Sequence, residues 1–300
     1  MNYRLCGHSG LYLPEVSLGL WHNFGSVDNY YNARDILLHA WERGIIHFDL
    51  ANNYGPEPGS AEINFGCVLQ SDLAAHRDEM IISSKAGYRM WDGPYGDGGS
   101  RKYIIASCDQ SLRRMHLDYV DIFYTHRYDP NTPIEETAEA LIQLVRSGKA
   151  LYVGISNYPA EQQRTICAYL AAAHVPCLIG QYKANMFFQE TLEQNLPVAR
   201  ELGTGFICFS PLAQGLLTDR YLNGIPEGSR ATKEVFLHRS DISEEYLTRV
   251  RQLNQEAQAQ GLTLSQYALR WLLNHEGVTS VLIGASSVAQ LDMNLDKVCQ

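Results

Sequence analysis

Four ionisable side chains stand near the ends of short apolar runs in this 300-residue sequence, and their chemistries complement one another. Asp49 closes the run GIIHFDL (44–50), with Tyr54 in the loop just after it. Lys85 ends MIISSK (80–85) and His126 ends YVDIFYTH (119–126). A phenol has a reference pKa of about 10 and keeps its proton at neutral pH. A cation beside it favours the phenolate and lowers that value. Lys85 can supply the charge, and Asp49 can hold the lysine and balance its burial. Such a set makes Tyr54 a proton donor to a developing alkoxide. A neutral His126 would orient a carbonyl oxygen by a hydrogen bond. Taken singly, each residue has a plainer reading: a turn-forming acid, a rim aromatic, a solvated lysine, a satisfied core histidine. Together they favour the chemical reading. No Ser–His nucleophile pair and no metal-ligand spacing competes with it, so no metal is expected.

These residues need a scaffold that gathers strand ends at one mouth. The apolar runs are VSLGL (16–20), GIIHFDL, MIISSK, YVDIFYTH, ALYVGIS (150–156), CLIGQ (177–181), GFICFS (205–210) and TSVLIG (279–284). They are short and most carry β-branched residues, as strands buried on both faces do. Amphipathic stretches lie between them, at 30–43, 60–70, 102–115, 134–147, 160–173, 192–202, 244–259, 263–275 and 287–298. One helix start is marked by Asn131-Thr132-Pro133, read as a cap followed by proline in the first turn. This alternation predicts one α/β domain over residues 1–300, a (β/α)8 TIM barrel. The stretch YRLCGHSGLYLPEVSL predicts an N-terminal β-hairpin plug at the far end of the barrel. An open doubly wound sheet is the alternative, but no GxGxxG follows the first strand. The longest irregular stretch runs from about Gln214 to Ser240. In a barrel, active sites are built at the C-terminal ends of the strands. Polar or aromatic groups stand at nearly every such end here: Trp21, Asp49, Lys85, His126, Ser156 with Asn157, Gln181 and Ser210.

Bulk properties narrow the partners. The net charge of -9 disfavours nucleic acid as a ligand. No apolar run approaches the roughly 20 residues that span a bilayer, so no membrane association is expected. The start MNYRLCGHSG has no signal-peptide character. Seven scattered cysteines without CxxC spacing read as reduced thiols of a cytoplasmic protein.

The longer motifs FDLANNYG, IISSKAGY, DYVDIFYTHR, GKALYVGISNY, FSPLAQGLLTDRYLNGIP and TSVLIGASSVAQLDMN carry a family resemblance. The chain resembles aldo-keto reductases over essentially its whole length. It is most similar to their bacterial L-glyceraldehyde 3-phosphate reductase branch, and more distantly to voltage-gated potassium channel β subunits. The resemblance implies NADPH-dependent reduction of small aldehydes such as L-glyceraldehyde 3-phosphate or methylglyoxal. Asp49, Tyr54, Lys85 and His126 match the catalytic tetrad. The channel subunits have asparagine at the last position, so His126 favours an enzyme over a nucleotide-sensing channel partner with little turnover. The NADP(H) contacts implied are Trp21, Asp49, Ser156, Asn157, Gln181, Phe209, Ser210, Pro211, Leu212, Gly215, Arg220, Arg230, Gly284, Ser286, Gln290 and Asn294. Ser287 stands where many relatives place a basic residue for the 2′-phosphate, which leaves that charge to Arg230. A homo-oligomer, a tetramer or larger, is implied as well. At the mouth, Arg89, Trp91 and Arg127 suggest an anionic substrate, or else arginines paired with local acids.

Overall fold

The computed structural model describes residues 1–222 and 243–299. Two short antiparallel strands come first, β1 (Tyr3–Leu5) and β2 (Tyr12–Pro14). Eight parallel strands follow: β3 (Val16–Gly19), β4 (His47–Asp49), β5 (Ile81–Ala86), β6 (Val120–Thr125), β7 (Ala150–Ser156), β8 (Cys177–Lys183), β9 (Gly205–Phe209) and β10 (Ser280–Ile283). They pair in chain order, and β10 closes against β3 to form a barrel. The helices between them are α1 (Tyr30–Glu42), α2 (Ser60–Val68), α3 (Arg101–Met115), α4 (Ile134–Arg146), α5 (Ala160–Ala172) and α6 (Glu190–Leu202). After β9 come α7 (Glu244–Ala259) and α8 (Leu264–Leu273), and α9 (Val288–Leu295) follows β10. This is the (β/α)8 barrel with an N-terminal hairpin that the run-and-helix alternation predicts. Most of the irregular stretch after β9 lies outside the described residues.

Side chains alternate across each strand, so the barrel has two cores. The outer one packs Leu18, Phe48, Ile82 and Phe123 against Leu37, Phe65, Ile104 and Leu141 of the surrounding helices. The inner one fills the N-terminal half of the lumen with Ile81, Ile122, Tyr124, Ile179, Ile207 and Leu282. Gly154 makes room for Tyr124, because a Cβ there would lie 2.5 Å from the ring. Cys6 and Leu13 of the hairpin join this inner core, and His8 N–H donates to the Gly203 carbonyl at 2.8 Å. The hairpin therefore closes the bottom of the barrel, and the polar strand ends face the open mouth. Leu13→Ala is expected to cost about 2–5 kcal/mol, as buried leucine truncations do. A lower urea midpoint at constant slope would show it. An unchanged midpoint would mean that the plug is not part of the cooperative unit.

One local expectation is corrected. Pro133 sits at the N-cap of α4 and not in its first turn, and no side chain caps that helix. Asp129 organises the approach instead. Its carboxylate accepts from Thr132 Oγ1 at 2.7 Å and from Asn131 N–H at 3.0 Å, so the threonine is already engaged. Elsewhere Asn29, Ser100, Ser243, Thr263 and Ser287 accept from the first turns of their helices. All seven cysteines are free thiols. Cys67 is exposed, Cys299 half-buried and the others buried. Among the described residues no helix is long and apolar enough to cross a membrane.

Candidate active site

The parallel register places Asp49 beside Ser83 and Lys85 beside Tyr124. Lys85 is fully buried, and its Nζ donates to Asp49 Oδ2 at 2.5 Å and to the Leu50 carbonyl at 2.6 Å. Tyr54 arrives from the loop after β4, which is held down by Leu50 N–H on the Ser83 carbonyl and Asn52 N–H on the Lys85 carbonyl. Its hydroxyl lies 3.4 Å from Nζ. The Tyr54 phenol keeps only 9% of its surface exposed. His126 follows β6, with its ring centroid 5.8 Å from that of Tyr54 at 71°. Tyr88 meets the other side of the imidazole edge-on, at 4.7 Å. The four residues singled out from the sequence thus converge.

Their electrostatics differ from the simple expectation in one respect. Lys85 was expected to pull the Tyr54 phenol down. Instead burial, followed by the Asp49 carboxylate, holds it well above the usual phenol range. The lysine charge is taken up first by Asp49, at 2.5 Å against 3.4 Å for the phenol. Tyr54 therefore carries its proton, which is the form a general acid requires. Burial lowers Lys85 from its ordinary value, and Asp49 opposes that shift. Burial, with Lys85 and Arg127 adding to it, holds His126 well below the usual imidazole range, so the ring is neutral at physiological pH. Its buried Nδ1 has no hydrogen-bond partner among the described residues.

Some of the residues matched to cofactor contacts join this cluster. Ser156 ends β7, and Asn157 follows it in a left-handed conformation (φ 54°). Asn157 Nδ2 donates to the His126 carbonyl and to Ser156 Oγ, both at 3.1 Å. Gln181 Nε2 donates to Asp49 Oδ1 at 3.2 Å. Ser156 pairs in register with Gln181, and Asn157 stands next to them. Trp21, after β3, has its ring 6.3 Å from that of Tyr54. Phe209 ends β9, and Ser210 continues with φ 54°. Asn185 fixes that turn by donating to the Ser210 carbonyl at 3.0 Å. Pro211 and Leu212 lead from it into a short turn ending at Gly215, which has φ 99°.

The remaining residues stand apart from the tetrad. Gly284 and Ser286 are exposed after β10, and Gln290 Oε1 accepts from Ser286 N–H at 2.7 Å and from Ser286 Oγ at 2.9 Å. Asn294, on α9, is buried with its Nδ2 unpartnered. Arg220 is exposed in a turn after β9, and Arg230 lies outside the described residues. Ser287, where a basic residue is commoner, caps α9 by accepting from Gln290 N–H. The rim arginines are paired with local acids. Arg127 contacts Asp97 at 2.8 Å and Arg89 contacts Asp92. Trp91 packs on Tyr103 at 5.3 Å between centroids.

Ser83 and His47 were missed. Ser83 Oγ donates to Asp49 Oδ1 at 2.6 Å, and His47 lies 3.1 Å behind it. The signal was available: each stands two residues before a tetrad member, and residues i and i+2 of a strand share a face. Among the described residues no cluster of His, Cys, Asp or Glu is arranged to hold a metal ion.

A buried phenol that holds its proton, beside an ammonium that can stabilise the oxygen left behind, is equipment for adding a proton to a carbonyl oxygen. Placed at the mouth of a parallel barrel, it belongs to a carbonyl oxidoreductase. Residues 15–299 match the Aldo/keto reductase family, and the chain belongs to that family. It is an oxidoreductase acting on aldehydes, and the family works with nicotinamide cofactors. The chain is 55% identical to an L-glyceraldehyde 3-phosphate reductase of Escherichia coli O157:H7, over 307 residues covering 98% of this chain and 87% of that protein. A protein of the same name from Escherichia coli (strain K12) is 54% identical over the same shares.

Proposed function

We propose that the protein reduces small aldehydes with NADPH, L-glyceraldehyde 3-phosphate and methylglyoxal among them, and that Tyr54 is the general acid. The observation that carries this reading is the buried Tyr54–Lys85–Asp49 chain beside a neutral His126. The substrate class follows the similarity to the two reductases. The residues fit a nicotinamide cofactor. The Ser156 hydroxyl and the Asn157 and Gln181 amides provide both donors and acceptors, as a primary carboxamide requires. Trp21 and Phe209 add flat apolar surface, and Arg220 adds a cation on the rim that would bear the phosphates. When bound, the reduced nicotinamide supplies a hydride to the carbonyl carbon.

The protein's own residues do the rest. His126, neutral, orients the carbonyl oxygen by a hydrogen bond. Tyr54 passes its proton to that oxygen as charge develops there. Lys85 stabilises the phenolate left behind, and Asp49 keeps the lysine charged despite burial. Two atoms are thus added to the carbonyl, a hydride at carbon and a proton at oxygen, and an alcohol results.

A substrate panel with NADPH and NADH side by side tests this. Oxidation of NADPH is expected with L-glyceraldehyde 3-phosphate and with methylglyoxal, and faster than that of NADH. If neither cofactor is oxidised by any aldehyde, the reading gives way to a nucleotide-sensing regulatory role.

A further inference from the structure

A second polar row crosses the barrel beneath the Asp49–Lys85 pair. His47 is fully buried, its Nδ1 2.9 Å from Ser17 Oγ and its Nε2 3.1 Å from Ser83 Oγ. Ser83 Oγ donates to Asp49 Oδ1 at 2.6 Å. At the far end, Ser17 Oγ is 2.7 Å from Ser280 Oγ, and Ser280 Oγ is 3.3 Å from the Glu15 carbonyl. The row therefore joins β10, β3, β4 and β5 and ends on a carboxylate of the tetrad.

Proton counting gives the row a direction. Asp49, paired with Lys85, only accepts. Ser83 uses its single proton on Asp49, so its oxygen accepts from His47 Nε2–H. Burial brings His47 down to about 4, against a smaller upward pull from Asp49 and with Lys85 adding to the fall, so the ring is neutral. With its proton on Nε2, its Nδ1 accepts from the Ser17 hydroxyl. Ser17 in turn accepts from Ser280, whose proton has its closer acceptor there. Every hydrogen in the row points at Asp49. The row stops at the Glu15 carbonyl, which has no proton to give. It cannot deliver protons from solvent, but it can hold a carboxylate in one orientation. The other groups on Asp49 are Lys85 on Oδ2, the Gln181 amide on Oδ1, and the Tyr54 and Tyr124 phenols that feel its charge.

We propose that His47 is a positioning residue for carbonyl reduction: through Ser83 it holds the Asp49 carboxylate in the Lys85-facing orientation on which the Tyr54 proton donor depends. The proposal rests on the reading of Tyr54 as general acid. Without His47, the Ser83 hydroxyl loses the donor that directs its proton toward Asp49. Without Ser83, the carboxylate loses a short hydrogen bond inside the barrel.

The test is the pH dependence of kcat and of KM with L-glyceraldehyde 3-phosphate and NADPH, for the wild type, Ser83→Ala, His47→Leu, His47→Gln and Tyr54→Phe. Ser83→Ala and His47→Leu are expected to lower kcat about tenfold with little change in KM, as the loss of one hydrogen bond to a charged group implies. Removing a donor to a carboxylate disfavours its charged form, so the acid limb of the kcat profile should move to higher pH. His47→Gln keeps one donor and one acceptor and should recover most of the loss. A role in packing alone would move neither the acid limb nor the kcat-to-KM balance. Wild-type profiles for Ser83→Ala and His47→Leu would overturn the proposal, as would a His47→Gln no better than His47→Leu. Should His47→Leu fail to fold, Ser83→Ala alone decides by the same profile. An inactive Tyr54→Phe beside an unshifted Ser83→Ala profile overturns the role of His47 only. A fully active Tyr54→Phe overturns the proton-donor reading on which it rests.

Discussion

Replacing Tyr54 by phenylalanine is expected to lower kcat about 10²- to 10⁴-fold, the usual contribution of a positioned general acid. NADPH should bind the variant as tightly as the wild type. The substitution removes one oxygen and keeps the ring, so the contacts with Trp21 and His126 persist. Among the described residues the hydroxyl makes one long contact, at 3.4 Å to Lys85 Nζ, and its loss leaves the shorter Lys85 bonds to Asp49 and Leu50 intact. Burial keeps the phenol protonated, the form that the proposed acid role requires. Steady-state turnover with L-glyceraldehyde 3-phosphate, set beside cofactor titration by tryptophan fluorescence, checks both halves. A variant that reduces the aldehyde at the wild-type rate would show that the proton comes from elsewhere. Weakened NADPH binding with kcat unchanged would show that Tyr54 holds the cofactor.

The second large effect concerns stability. Lys85→Met should destabilise the fold by about 3–5 kcal/mol, because it strands a carboxylate in a buried site. Asp49 would keep its donors Ser83 and Gln181, but not the charge that offsets its own. Adding Asp49→Asn removes the stranded charge, so the double variant should regain a large part of that loss. Turnover should not return, since the proton donor would still lack its cation. Urea unfolding and aldehyde turnover on the same preparations separate the two effects. If the double variant is no more stable than Lys85→Met, the cost lies in lost lysine packing and not in the unpaired charge.

Several features could not be read along the chain. Which charge governs Tyr54 depends on two distances, and Asp49 lies nearer to Lys85 than the phenol does. The arginines at the mouth left an anion site and pairing with local acids both open, and in the folded loop Asp92 and Asp97 sit within reach of them. The tripeptide before α4 looked like a cap until Asp129 proved to have engaged Thr132. Period-2 spacing puts His47 and Ser83 on the faces of Asp49 and Lys85, but nothing in a linear pattern says that four strands bring a histidine and three serines into one row.

The architecture was legible for a physical reason. A strand buried on both faces must be apolar along its length, so eight such runs stand out between amphipathic helices. The mouth of a parallel barrel gathers strand ends and the loops after them, so residue type there already groups Asp49, Tyr54, Lys85 and His126. What the sequence alone determined is therefore the barrel, its plug and the convergence of Asp49, Tyr54, Lys85 and His126 at one mouth. Only the tertiary structure decided the protonation of each member and the row beneath them. Those depend on burial and on ångström-scale separations across neighbouring strands, which strand pairing and barrel closure set and which no spacing along the chain records.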